Sequence, residues 1–249
     1  FNEPSHGYIG WKDLTAHDSL LRVDLQPTPL QSFALGDGLE QEVGVWGTGL
    51  GGARLQGHRQ LNMGHVRAWK EGRPCIWREH GVWTVDSEGV PQLLVPDYFS
   101  RVDGREVDFE QDYLVPFIRR YADAVRSVDP EALIFAEGEP QALPPRVGEK
   151  CSGFVSAPHW YDVVQLLLKR SSPWLGYDAV RNRIVLGARA VRRSFAWQLA
   201  AIRRAGTERL HGPTVIGEIG ITFDFRGGRA FRTGDYWEQE ALMDRSLCA

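Results

Sequence analysis

The stretch Pro213-Thr214-Val215-Ile216-Gly217-Glu218-Ile219-Gly220 constrains this chain more than any other. A β-rich run that closes on a carboxylate and then a glycine is how a strand of a parallel α/β barrel delivers an acid to the C-terminal face, where loops decide the chemistry. One carboxylate there implies a second. Breaking a glycosidic bond takes one group to protonate the leaving oxygen and another to meet the cation that develops on the sugar. Glu218 is read as the nucleophile. Glu3, in Phe1-Asn2-Glu3-Pro4, is read as its partner, first acid and then base.

The intervening chain is expected to join these two carboxylates. Between Glu110 and Ser127, Leu114, Phe117, Ile118, Tyr121 and Val125 recur at the spacing of one helical stripe, with Pro116 in the first turn. Ala132 to Ala136 then reads as a buried strand ending at Glu137, and Gly153 to Pro158 as another, opening into His159-Trp160-Tyr161-Asp162. A helix is expected from about Leu186 to Arg204, stopping at Gly206, and a last helix from Asp235 to Leu247 behind an aspartate cap. Strands alternating with helices imply parallel pairing and an α/β fold, a (β/α)8 TIM barrel of which only part is here. Strand ends are expected near residues 3, 137, 159 and 218, and a closed barrel needs about eight.

Glu3 and Glu218 stand 215 positions apart, whereas three βα units would separate them by about a hundred. The excess is an insertion at about 14–108, punctuated by Pro27, Pro29 and many glycines. It is expected to hold little regular structure before Pro74. The glycine run at 44–52 reads as a flexible connection; Cys75 to Trp77 and Gly81 to Val85 alternate, and Val90 to Val95 completes a hairpin. Residues 1–249 are thus read as a single partial catalytic domain carrying one insertion.

Composition narrows the function. A formal charge of −3 and a pI near 6.2 give no basic field for a phosphate backbone, so no nucleic-acid partner is expected. Three cysteines without C-x-x-C spacing argue against a disulfide framework and a zinc site, and free thiols favour a reducing, cytoplasmic compartment. No run of about 18 apolar residues is available to span a bilayer. The chain opens on Phe1 inside a motif, and it is read as a fragment of a longer protein. As an isolated arc it is expected to fold poorly.

Around the two acids, Tyr161 is placed to donate to Glu218 and Asn2 to bind the sugar 2-hydroxyl. His159 taken alone reads as a satisfied rim or core histidine. Trp160, Trp174 and Trp11 are candidates to stack on sugar or simply to pack, and Glu137 and Glu139 are spare carboxylates, substrate contacts or surface charges.

At these residues the sequence resembles clan A glycoside hydrolases of family 5, which carry Asn-Glu-Pro after strand four, His-x-Tyr after strand six and a nucleophilic Glu after strand seven. Ser5-His6-Gly7-Tyr8-Ile9-Gly10, Cys75-Ile76-Trp77-Arg78-Glu79-His80-Gly81-Val82-Trp83 and Pro158 to Asp162 make the likeness narrower. They resemble the fungal branch related to endoglycoceramidases, which includes glucosylceramide-cleaving and steryl β-glucosidases. The resemblance implies strands four to seven, Glu3 as acid/base, Glu218 as nucleophile, and Asn2, His159 and Tyr161 as substrate-side support; Trp160 is counted with them as a candidate sugar contact. It implies a retaining β-glycosidase releasing glucose from a glycolipid, with no cofactor, no metal, no obligate protein partner and transient contact with a membrane surface. Tyr8, Ile9, Trp11, Trp46 and Trp83 are expected on the aglycone side. Two other readings stand beside it: an endo-β-glucanase or mannanase of the same family, and a non-catalytic carbohydrate- or lipid-binding remnant.

Overall fold

A computed structural model describes residues 3–17, 24–49, 52–139, 142–148, 152–168 and 172–248. The contacts divide the chain into two compact units, His6–Val107 and Phe1–Ser5 with Asp108–Ala249.

The His6–Val107 unit contains more regular structure than its sequence suggests. After the short strand β1 (Asp24–Leu25), Thr28 and Gln31 form a capping box with Pro29 at the first helical position, which starts α1 (Pro29–Gly36). The expected irregular stretch then becomes a long antiparallel hairpin, β2 (Gln41–Gly49) with β3 (Gly52–Leu61), its register shifting at Val45/Trp46. Gly44, Gly47 and Gly49 of the glycine run therefore lie in a paired strand and not in a loose connection. Cys75 caps a one-turn helix, α2 (Ile76–Glu79), where a strand was expected, while β4 (Trp83–Val85) and β5 (Pro91–Leu93) make the expected hairpin. A small ladder, β6 (Arg101–Val102) with β7 (Arg105–Glu106), ends the unit.

Asp37 ties this unit together. Its side chain, only 5% exposed, accepts from Arg67 and Arg78 at 3.0 Å each and from the Cys75 amide at 3.1 Å. Leu14, Leu30, Phe33, Ala34, Cys75, Val82 and Trp83 form the core, with Tyr8 and Trp11 packed against it. Trp83, expected on an aglycone rim, is fully buried there and serves packing.

The other unit is mixed α/β. Helix α3 (Val115–Arg126) follows a π-helical turn at Glu110–Leu114; the turn buries Leu114, and the helix buries Val115, Ile118 and Ala122. Phe117 and Tyr121, expected on the same stripe, are exposed and stack on one another. Strand β8 (Ile134–Ala136) pairs in parallel with β9 (Phe154–Ser156). Just beyond Ala157 and Pro158, β10 (His159–Tyr161) pairs in parallel with β13 (Glu218–Gly220) on its other side, and Ser156 bridges Thr214. The result is one run of parallel backbone, 134–136 beside 154–161 beside 214–220. Among the described residues no closed barrel forms. Nor is there a strand at residue 3: Glu3 sits in a bend with φ 46°, and Phe1 and Asn2 lie outside the described residues.

Between β10 and β13 run α4 (Val163–Leu168), the antiparallel pair β11 (Leu175–Asp178) and β12 (Arg183–Leu186), and the long helix α5 (Ala188–Leu210). Gly206 does not end α5, as expected, but lies within it, pressed on the sheet. A Cβ there would meet Thr214 Oγ1 at 2.1 Å and Ser156 Cβ at 3.0 Å, so the helix approaches the strands only because this residue has no side chain. His211, in the left-handed conformation, is the real C-cap. The arginines from Arg189 to Arg204 do face outward, as expected. Two helices, α6 (Phe225–Thr233) and α7 (Trp237–Leu247), follow β13; Asp235 accepts from the Trp237 amide at 3.3 Å, one residue before the N-cap Tyr236.

Candidate active site

The orientation of Glu218 depends on one extra residue. From Ser156 to His159 the chain takes three steps, but from their partners Thr214 to Glu218 it takes four. The surplus is a bulge beside Pro158, which has no N–H for the ladder, and at Gly217, whose amide donates to the Pro158 carbonyl at 2.9 Å. Its effect on facing is direct. Ile216 and Ile219 both pack toward α5, in the cluster of Trp160, Val185, Val191, Phe195 and Ile202, although they stand three apart. Strict alternation would have put them on opposite faces. The bulge reverses the alternation and turns Glu218 to the face that carries His159 and Tyr161. Only glycine fits at the reversal, since a Cβ on Gly217 would lie 2.7 Å from the Ala157 carbonyl oxygen.

On that face three strand ends converge. His159 Nδ1 lies 3.0 Å from Glu3 Oε1 and 3.6 Å from Glu218 Oε1, and His159 Nε2 lies 3.3 Å from Glu137 Oε1. One oxygen from each of Glu3 and Glu218 and one nitrogen of His159 all fall within 4.8 Å of one another. The side chains of Glu3 and Glu218 are 40% and 44% exposed, open to a substrate, whereas His159 is 8% exposed behind them. Two carboxylates and an imidazole at this spacing could also take a cation. Such clusters are common without one, and the internal hydrogen bonds already account for the grouping.

Tyr161 donates its hydroxyl to Glu218 Oε1, as the sequence suggested. Burial, then that hydrogen bond and the negative charges of Glu218 and Glu3, push its phenol up to about 12. It therefore stays protonated and remains a donor to Glu218. Behind it, the buried Asp162 pairs with Arg245 of α7, which also donates to the Ser172 carbonyl at 2.7 Å and so fixes the chain leaving β10. Burial raises the Asp162 carboxyl more than Arg245 lowers it.

Trp160 is placed otherwise than expected. It alternates away from His159 and Tyr161, is 1% exposed, and meets Phe195 edge-on at 5.1 Å, so it joins β10 to α5 and does not reach a substrate. Asn2 lies outside the described residues. Glu137, read as a spare carboxylate, belongs to the cluster: its Oε2 accepts the Glu3 amide at 3.1 Å while its Oε1 faces His159. The signal was present in the sequence, because Glu137 directly follows the β-rich run Ala132 to Ala136, as Glu218 follows Pro213 to Gly217.

No protein-family model matches the chain. It is, however, 33% identical to a glucosylceramidase of Rhizopus delemar over 100% of this chain and 38% of that protein. A glucosylceramidase of Aspergillus fumigatus is 30% identical over 98% of this chain, and an ergosteryl-beta-glucosidase of Saccharomyces cerevisiae 28% over 98%. In structure, the chain superposes on sterylglucosidase 1 of Cryptococcus neoformans with a TM-score of 0.85 and 28% identity, covering 99% of this chain. The likeness spans the whole chain. It spans less than half of the relatives, from 36% to 38% of the curated proteins and 40% of the solved structure.

Proposed function

We propose that the protein carrying this chain is a retaining β-glucosidase of glycoside hydrolase family 5 that releases glucose from a glycolipid, glucosylceramide or a steryl β-glucoside. In this reading the chain supplies strands four to seven of a (β/α)8 barrel, with His6–Val107 inserted after strand four. One observation carries it: one oxygen of Glu3 and one of Glu218 lie within 4.8 Å of each other, too close for a water to be held between them. Retaining enzymes hold their carboxyl groups about 5–5.5 Å apart, and inverting enzymes need about 6.5–9.5 Å to admit a water between them.

The chemistry follows from that spacing. Glu3 in its acid form protonates the glycosidic oxygen as Glu218 attacks the anomeric carbon from the opposite face. The C1–O bond breaks, the alcohol leaves with the Glu3 proton, and a glucosyl ester forms on Glu218. Glu3, now a carboxylate, takes a proton from water as that water attacks C1, which releases glucose and restores both groups. Tyr161 holds one oxygen of Glu218 through the first step. The names of the relatives support a lipid-like aglycone.

The test is turnover by the intact protein of glucosylceramide, a steryl β-glucoside and cellulose oligomers. Glucose release from either glycolipid is expected. Release only from the oligomers would move the protein to the glucanase reading, and binding without release from any would leave a carbohydrate- or lipid-binding protein.

A further inference from the structure

We propose that Glu137 is a positioning residue for the reaction: it holds the His159 proton on Nε2, so that Nδ1 is left as an acceptor turned to the carboxyl of Glu3. This rests on the reading of Glu3 as acid/base. The geometry points one way. Glu137 Oε1 is buried and, among the described residues, has no hydrogen-bond partner of normal geometry; the polar atom facing it is His159 Nε2, at 3.3 Å. A buried carboxylate oxygen is costly to leave unpaired, and a proton on Nε2 relieves it. The other oxygen of Glu137 is already used by the Glu3 amide at 3.1 Å, so one side chain fixes both the backbone of the acid and the ring beside it.

The tautomer decides what Glu3 can do. A neutral imidazole has one donor and one acceptor nitrogen, and the partner of the first sets the role of the second. With the proton on Nε2, Nδ1 accepts from Glu3 at 3.0 Å and stabilises its acid form, the form that must meet the leaving oxygen. With the proton on Nδ1, the ring would donate to Glu3 and Glu218 together and favour the anion of both. Among the described residues the charged groups facing His159 are Glu3, Glu218 and Glu137, with the Tyr161 hydroxyl beyond Glu218, and no Lys or Arg is paired with any of the three carboxylates.

The experiment compares Glu137→Gln with the unaltered full-length enzyme on two glucosides. One is a glycolipid, whose alkoxide-like leaving group needs a proton. The other is a dinitrophenyl β-glucoside, whose leaving group does not. The introduced glutamine can turn its amide N–H to Nε2 and move the ring proton to Nδ1. The basic limb of kcat/KM for the glycolipid is then expected to move down by about one pH unit, with a loss at neutral pH of roughly tenfold or more, while the activated glucoside changes by less than about twofold. Equal losses on both substrates with superimposable pH profiles would reduce Glu137 to a structural role and overturn the proposal. Nitrogen NMR of His159 in the unaltered protein tests it without any variant: an Nε2-protonated ring is expected, and an Nδ1-protonated ring contradicts it. If the unaltered enzyme hydrolyses neither glucoside, it is the functional reading that fails, whatever the tautomer.

Discussion

Glu218→Gln in the intact protein is expected to lower turnover of every β-glucoside by on the order of 10⁴-fold or more, since an amide cannot form the glucosyl ester on which both steps depend. The fold should barely notice. Glu218 is 44% exposed, and the glutamine oxygen can still accept from Tyr161, so stability should stay within about 0.5 kcal/mol of the parent. Removing the side chain entirely, in Glu218→Gly, leaves a space where azide can attack C1 in its place. An α-glucosyl azide, inverted once, is then expected from an activated β-glucoside. Unchanged turnover in Glu218→Gln would remove it as nucleophile.

Glu3→Gln should give a different pattern, because its two roles fall on different steps. With a poor leaving group the first step loses general acid catalysis, worth about 10²–10⁴-fold. With dinitrophenyl β-glucoside that step survives and the second, which lacks its base, becomes slow. The glucosyl-enzyme should accumulate, KM should fall, and azide should restore turnover with a β-glucosyl azide as product. The hand of the azide thus separates the two carboxylates. An α-azide from Glu3→Gln, or equal losses on both leaving groups, would exchange or abolish the assigned roles.

What could be read from the sequence was whatever repeats along a strand or a helix. The outward arginines of α5 and the Leu114 and Ile118 positions of the stripe leading into α3 are periodic, and the structure contains them; Phe117 and Tyr121 of that stripe are exposed, and the strand expected at Glu3 is absent. Contacts between distant residues left no such trace. Gly206 looks like a helix stop because nothing local shows Thr214 and Ser156 lying against it. The hairpin at Gln41–Leu61 was missed because glycines at 44, 47, 49, 52 and 57 interrupt its alternation and leave Val43 as its one fully buried valine. Trp160 was left open between stacking on sugar and packing, and it packs, because it faces away from His159 and Tyr161, its neighbours on the strand. The bulge is the most instructive case. Counted strictly from Thr214, Glu218 should have pointed into α5, and only pairing with a strand some sixty residues earlier reveals that Gly217 turns it back.

The measurement that bears most directly on the account is the anomeric configuration of the first glucose released, followed by proton NMR during hydrolysis of a β-glucoside by the intact protein. Carboxylates that bring one oxygen each within 4.8 Å predict β-glucose first, with the α-anomer appearing only through later mutarotation. α-Glucose as the initial product would mean that water attacks directly, that Glu218 carries no ester, and that the central claim is wrong.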